Sequence, residues 1–262
     1  MKIGVLVDLS PICSKAVEVG AMVADKAGAE MVLIHVSEPG DDTVSLGVQL
    51  ENLKQWAPEN VPVTYHIGGG DFFSVIPTIV TDLEVDMVVV PTHGKVGILQ
   101  NLFGANILKL VKSLPVPALV VQEGVQASHA SFKTLLFPVG PHADFDIKIK
   151  QTAQFASIFD STVIIYTVRN DVRGLSEELR RNISASKSYF KEHAIKFEEV
   201  SEEPTGYSVG YAKHILHYAK TNQVGAICIM SKVSDANEYI GNTDKENTLL
   251  NDAAIPVYCT NS

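Results

Sequence analysis

Little in this chain belongs to a secreted, membrane-bound or metal-dependent protein. Cysteine is scarce: Cys13, Cys228 and Cys259 are the only three in 262 residues. Their number is odd, no C-x-x-C occurs, and no cluster of histidines stands beside them, which argues against a disulfide framework and a structural zinc site. Cys228 and Cys259 lie within apolar runs and are expected as buried, inert thiols of a reducing compartment. No apolar run approaches the roughly 18 residues that a membrane span needs. The N-terminal run meets Asp8 too early for a signal peptide, so a cytoplasmic location is expected. Positive charge is lacking too, with a net charge of -9 and a pI of about 5.3. Such a field repels phosphate backbones and anionic lipid heads, so neither nucleic acid nor a membrane surface is expected as a partner. A small anion can still bind locally through backbone N–H groups. The sequence also has no Walker A loop, no Rossmann G-x-G-x-x-G and no G-x-S-x-G elbow.

What is present reads as a packed α/β chain. Apolar runs over 3–7, 31–36, 61–67, 87–90 and 116–121 are rich in β-branched residues and bounded by turn formers. Continuous apolarity, as opposed to alternation, predicts parallel strands buried on both faces. Between them, Ala16, Val19, Val23 and Ala27 form one apolar helical stripe within 12–27, and 72–83 and 105–113 read likewise. Asp71, after Gly68-Gly69-Gly70, is placed to cap the third helix. The alternating order predicts a doubly wound parallel sheet with right-handed crossovers.

The same pattern then recurs over 134–139, 162–168, 195–200, 224–230 and 256–260. Ile3 to Leu135 and Val36 to Val168 are both offsets of 132, while Asp86 to Gly225 and Pro117 to Pro256 are both 139. A register this steady predicts a duplicated domain, with one copy over 1–124, a small polar joint within 123–132, and a second copy over 132–262.

In such sheets a ligand sits beyond the carboxyl ends of the strands, where strand order reverses. The residues there are Val7-Asp8, Val36-Ser37, and the stretch from Pro91 through His93, Gly94 and Lys95 to Gly104, Ala105 and Asn106. Gly94 allows a tight turn, and Gly104-Ala105-Asn106 opens a helix whose free N–H groups attract an anion. Asp8 is a candidate acceptor for ribose hydroxyls. A plainer reading stays open, in which the glycines turn a loop and Asp8 caps the helix beginning near Ser10-Pro11.

Residues 2–8, 31–36 and 86–121 closely resemble a universal stress protein domain, within the adenine nucleotide alpha-hydrolase-like, Rossmann-like superfold. That family's ATP-binding members carry Gly-x2-Gly-x9-Gly-Ser/Thr after the fourth strand. Here Pro91-x2-Gly94-x9-Gly104-Ala105 fills those places, so two of three glycines match and the hydroxyl residue is alanine. The resemblance implies Val7, Asp8 and Val36 as ribose or adenine contacts, and Pro91, His93, Gly94, Gly104, Ala105 and Asn106 as the phosphate loop. Pro91 has no N–H to offer a phosphate. The resemblance further implies ATP or AMP as a weakly held ligand, and two last strands, 116–121 and 256–260, that meet within the chain as a built-in pseudo-dimer, with a homodimer of the whole chain open.

The second copy departs further. Gly140 replaces Asp8, and Met230, Val233, Thr243 and Asp244 replace the loop residues. Asp235, Glu238, Asp244 and Glu246 make that stretch acidic. His66-Ile67-Gly68-Gly69 and Met230-Ser231-Lys232 faintly resemble synthetase signatures, but lie in the wrong places. His214 and His217, one helical turn apart, are expected to have no nearby carboxylate and to be a solvated or core-edge pair and not a metal site. No catalytic residue or metal ligand is expected, and Ser10, Cys13 and His93 show no triad arrangement. The expected role is a stress-response module working through a ligand-biased conformation, with a nucleotide-independent protein scaffold and a slow ATPase as the other readings.

Overall fold

The computed structural model describes residues 1–92, 106–125, 131–168, 176–202, 211–232 and 242–261. The first half runs β1 (Lys2–Leu6), α1 (Ile12–Ala27), β2 (Glu30–Ser37), α2 (Thr43–Leu53), a short 3-10 turn at Lys54–Trp56, β3 (Val63–Gly69), α3 (Phe72–Asp82), β4 (Met87–Thr92), α4 (Ile107–Ser113) and β5 (Ala118–Gln122). The second half repeats it as β6 (Thr134–Pro138), α5 (Phe145–Phe159), β7 (Thr162–Val168), α6 (Glu177–Glu192), β8 (Lys196–Glu202), α7 (Tyr211–Thr221), β9 (Ala226–Met230), α8 (Asn242–Leu249) and β10 (Val257–Thr260).

The strands form one ten-stranded sheet in the order β3-β2-β1-β4-β5-β10-β9-β6-β7-β8. Every pairing within a half is parallel, and β5 joins β10 antiparallel through Ala118–Cys259, Leu119–Tyr258 and Val120–Val257. The doubly wound halves and the pseudo-dimer therefore stand as read. The register of duplication is visible in the first helix of each copy. Buried Cys13, Ala16, Val17, Gly20, Ala21, Val23 and Ala24 of α1 are answered by Phe145, Lys148, Ile149, Thr152, Ala153, Phe155 and Ala156 of α5, each 132 positions on. Both helices end on a left-handed residue, Gly28 and Asp160, at the same offset. Asp71 caps α3, its carboxylate accepting from the Ser74 N–H at 3.1 Å.

Two apolar cores run the width of the sheet. One lies under α1, α2, α5 and α6, and the other under α3, α4, α7 and α8. Each contains residues of both halves, so neither copy keeps a core of its own. The junction is locked by a reciprocal pair of amides. Gln122, just after Val121 of β5, donates from Nε2 to the Leu249 carbonyl in the last turn of α8 at 2.8 Å. Asn261, 139 positions later and just past β10, donates from Nδ2 to the Val111 carbonyl of α4 at 2.9 Å and to the Val116 carbonyl at 3.0 Å. The Asn261 side chain also accepts from the Ser231 hydroxyl, and its backbone N–H and carbonyl bond the side-chain amide of Gln151 of α5. Gln122 Oε1, by contrast, is buried and has no partner among the described residues.

The two clamps should differ in strength. Asn261→Ala removes three buried bonds and is expected to cost roughly 2–4 kcal/mol of unfolding free energy. Gln122→Leu removes one bond together with an orphaned oxygen and should cost clearly less. Urea unfolding of both variants checks this, and equal losses would contradict the asymmetry.

Candidate functional site

The order reversal in the first half falls at β1, which lies between β2 and β4. Val5 pairs with both Leu33 and Val89. Continued to the strand ends, that register sets Val7 level with His35 and Pro91, and Asp8 level with Val36 and Thr92. Four sequence-predicted residues, Val7, Asp8, Val36 and Pro91, thus come together at one sheet edge. Val7 and Val36 are buried, Asp8 is half-buried, and Pro91 is paired into β4 opposite Val121. Asn106 is exposed at the start of α4, where its carbonyl accepts from the Leu110 N–H and its side chain caps nothing. His93, Gly94, Gly104 and Ala105 lie outside the described residues.

The Asp8 carboxylate is unevenly used. Oδ1 accepts from the Ser10 N–H at 3.0 Å, from the Ser10 hydroxyl at 2.5 Å and from the Cys13 thiol at 3.1 Å. Oδ2 is out of contact with solvent and has no partner among the described residues. Between Asp8 and Ser10, Leu9 holds a left-handed φ of 60°. That conformation is unfavourable for a side chain with a Cβ and tends to gather where a site is being shaped. Asp8 therefore does join the loop into α1, as the plainer reading has it, but with only one of its two oxygens. Cys13 is pushed up to about 12, first by burial and then by the Asp8 charge beside it, so it serves as a neutral thiol donor and not as a nucleophile. Cys228 is likewise raised to about 12 by burial, in keeping with an inert thiol.

His35 belongs to this edge and escaped the sequence reading. Its Nδ1 lies 2.8 Å from the Val7 carbonyl, and the ring is buried. Only its place one residue before Val36 at a strand end hints at the role. His214 needs a correction: it does have a carboxylate neighbour, Glu202 Oε2 at 4.0 Å, brought in by β8 and also bound by the Tyr166 hydroxyl at 2.7 Å. The partner is distant along the chain in a different element, and so invisible to a local reading.

The matching edge of the second half is built differently. Pro141, at the place of Leu9, cannot take a positive φ, so the loop after β6 must take another path. Asn182 of α6 donates from Nδ2 to the Gly140 and His142 carbonyls, each at 2.9 Å, and ties that loop down. Lys148, at the place of Ala16, is fully buried, donates to the Pro138 carbonyl at 2.5 Å and lies 4.6 Å from the Phe137 ring centroid. Lys245 of α8 is buried against the Ser231 and Lys232 carbonyls. Burial lowers Lys148 to about 7, Lys245 to about 8 and His142 to about 4. No carboxylate pairs with either lysine among the described residues. The acidity read along 235–246 is thus accompanied by two buried amines, and the loop that would face a ligand is spoken for by Asn182.

This geometry places the chain among doubly wound α/β proteins, with a half-used carboxylate at a strand end of its first copy. Residues 1–122 match the universal stress protein family. Among solved structures, a universal stress protein from Archaeoglobus fulgidus DSM 4304 is similar over 99% of this chain and 96% of its own, at 14% identity and a TM-score of 0.72. A putative universal stress protein from Pseudomonas aeruginosa UCBPP-PA14 is similar over 99% and 92%, at 14% identity and a TM-score of 0.65. A functionally unknown protein from Pseudomonas aeruginosa PAO1 gives 99% and 92%, 14% and 0.66. At these identities the likeness is one of fold. No curated protein matches the chain.

Lys148 gives a pH-dependent prediction. Its folded value, about 7, lies below its ordinary 10.5. Unfolding therefore takes up a proton between those limits, and stability rises with pH across that window. Below about 7 the penalty is fully present. Lys148→Met should stabilise by roughly 1–3 kcal/mol at pH 6, after allowing for the lost Pro138 bond, and the gain should fade towards pH 10. Denaturant unfolding at both pH values tests it, and a gain independent of pH would show that Lys148 is charged in the fold.

Proposed function

We propose that the chain is a universal stress protein-type regulatory module that binds an adenine nucleotide, ATP or AMP, at the carboxyl edge of its first half and catalyses no reaction on it. The observation that carries this reading is the half-used Asp8 carboxylate. Oδ1 is saturated by the loop, and Oδ2 stands buried with no partner among the described residues. A buried acceptor left unpaired is costly, and a ribose hydroxyl is a donor of the right kind. The strained Leu9 backbone that holds the carboxylate there is a feature of the first half alone, since Pro141 excludes it from the second. The working mechanism is a ligand-biased conformation or interface, because a ligand shifts an equilibrium only by its differential affinity for two states. The second half then serves as structural support or as the partner-binding side. In this reading no base or metal is positioned for chemistry, and a slow ATPase would have to rest on Asp8 as its metal ligand.

Pro91 supports a second reading, a nucleotide-independent scaffold. It lies in β4 where the family pattern has glycine, and supplies no N–H to a phosphate. No helix among the described residues is long and apolar enough to cross a membrane.

Thermal unfolding with ATP, ADP or AMP and Mg²⁺, against GTP, separates the readings. A ligand held only by the folded state at a hundredfold excess over Kd contributes about 2.7 kcal/mol, which raises the midpoint by a few degrees. The expected result is a shift with adenine nucleotides, absent with GTP and lost in Asp8→Ala. No shift with any nucleotide would overturn the proposal in favour of the scaffold, and phosphate release on incubation with ATP would favour the slow ATPase.

A further inference from the structure

The two outer edges of the sheet are β3 and β8, which are repeat-equivalent strands with repeat-equivalent helices, α2 and α6, beside them. Duplication makes each the control for the other. The β8 edge is guarded: Lys196, Glu198, Glu199 and Glu202 stand on the strand, and α6 carries seven charged residues. Lys187 of α6 pairs with Glu199, and Lys196 with Asp160 at 2.6 Å. Charge on an edge strand is a common defence against pairing with another chain.

The β3 edge has been stripped of that defence. Its seven residues, Val63-Thr64-Tyr65-His66-Ile67-Gly68-Gly69, carry no carboxylate or ammonium, and contain neither a proline nor an inward charge. The α2 helix and the turn after it carry only Glu51 and Lys54, which pair with each other at 2.7 Å. Exposed apolar side chains collect here. Val44 is 74% exposed, Val48 58%, Trp56 46% and Tyr65 41%, and Met1 is the only other large apolar residue so exposed among those described. They belong to one surface. Val44 and Val48 lie one turn apart on α2, a Cβ on the intervening Gly47 would stand 3.2 Å from the Tyr65 hydroxyl, and Lys54 lies 5.2 Å from the Tyr65 ring.

We propose that this edge is a self-association surface, on which a second copy of the chain pairs its own β3 antiparallel across a two-fold axis and packs Val44, Val48, Trp56 and Tyr65 against their counterparts. Three observations select a second copy over a foreign partner. The chain carries a net charge of -9, so two copies repel overall, yet within α2, the turn and β3 the charges cancel, and the carboxylate of Asp42 before α2 is engaged as its cap by the Val44 N–H. An edge strand is complementary to its own antiparallel image, since each presents alternating donors and acceptors. The fold already joins its two halves by this kind of contact, strand edge to strand edge and antiparallel, at β5–β10.

Sedimentation velocity of the full chain over a range of concentrations tests the proposal. The expected result is a monomer–dimer equilibrium that Val48→Glu and Tyr65→Lys each weaken by at least about tenfold in Kd. Val48→Lys should weaken it as well, which separates lost apolar packing from a change in net charge. Arg180→Glu, exposed on α6 beside the guarded edge, should leave it unchanged. These positions are exposed, and circular dichroism confirms that the variants fold. A monomer at every concentration, a dimer indifferent to both α2 and β3 substitutions, or a dimer tightened by Val48→Lys would each overturn the proposal.

Discussion

The antiparallel contact between β5 and β10 is the constraint on which the rest of the molecule depends. It makes one sheet of two, and so makes each apolar core continuous beneath helices of both halves. It also removes the two edges that the halves would otherwise present to other chains. Because the junction is antiparallel while each half is parallel, the carboxyl ends of β1 and β4 and those of β6 and β9 open at opposite ends of the sheet. The two copies of the site are therefore remote from each other and free to diverge. The clamps of Gln122 and Asn261 show the same logic at the scale of single bonds. Each strand end reaches across to the last turn of a helix in the other half, so the junction is held by side chains as well as by the ladder.

Divergence has followed that freedom. Asp8, Leu9, Cys13 and Ala16 of the first copy face Gly140, Pro141, Phe145 and Lys148 of the second. These changes are coupled by space. Ala16 leaves α1 close to β1, and small Cys13 lets the Asp8 carboxylate turn inward onto a thiol donor. In the second copy the Lys148 amine lies 5.2 Å from the Phe145 ring centroid, and the Gly140 carbonyl is taken by Asn182. The first edge keeps an acceptor without a donor, while the second keeps amines without an acid.

Much of this was legible in the sequence because it rests on periodic features. Ten apolar runs marked ten strands, the 12–27 stripe marked a helix that spans those same residues, and the constant offset marked the duplication. Asp8, Val7, Val36 and Pro91 were placed together by topology alone, since strand order decides which ends are neighbours. What stayed hidden depends on contacts between elements. Nothing local tells that His35 turns towards the Val7 carbonyl, that Lys148 is buried on a helix whose neighbours look amphipathic, or that Glu202 of β8 reaches His214 of α7. Nor does a propensity show Leu9 left-handed.

A shared core also bears on how one half influences the other. If each copy folded about its own core, a ligand at the Asp8 edge would stabilise one copy and leave the other to unfold alone. Here α1 packs on α5 across the pseudo-axis on one face of the sheet and α4 on α8 on the other, with Asn261 bonded to both Val111 of the first half and Gln151 of the second. Loosening either half exposes apolar surface of the other, so the chain is expected to unfold as one cooperative unit. A ligand held by either half would then stabilise the whole chain against unfolding.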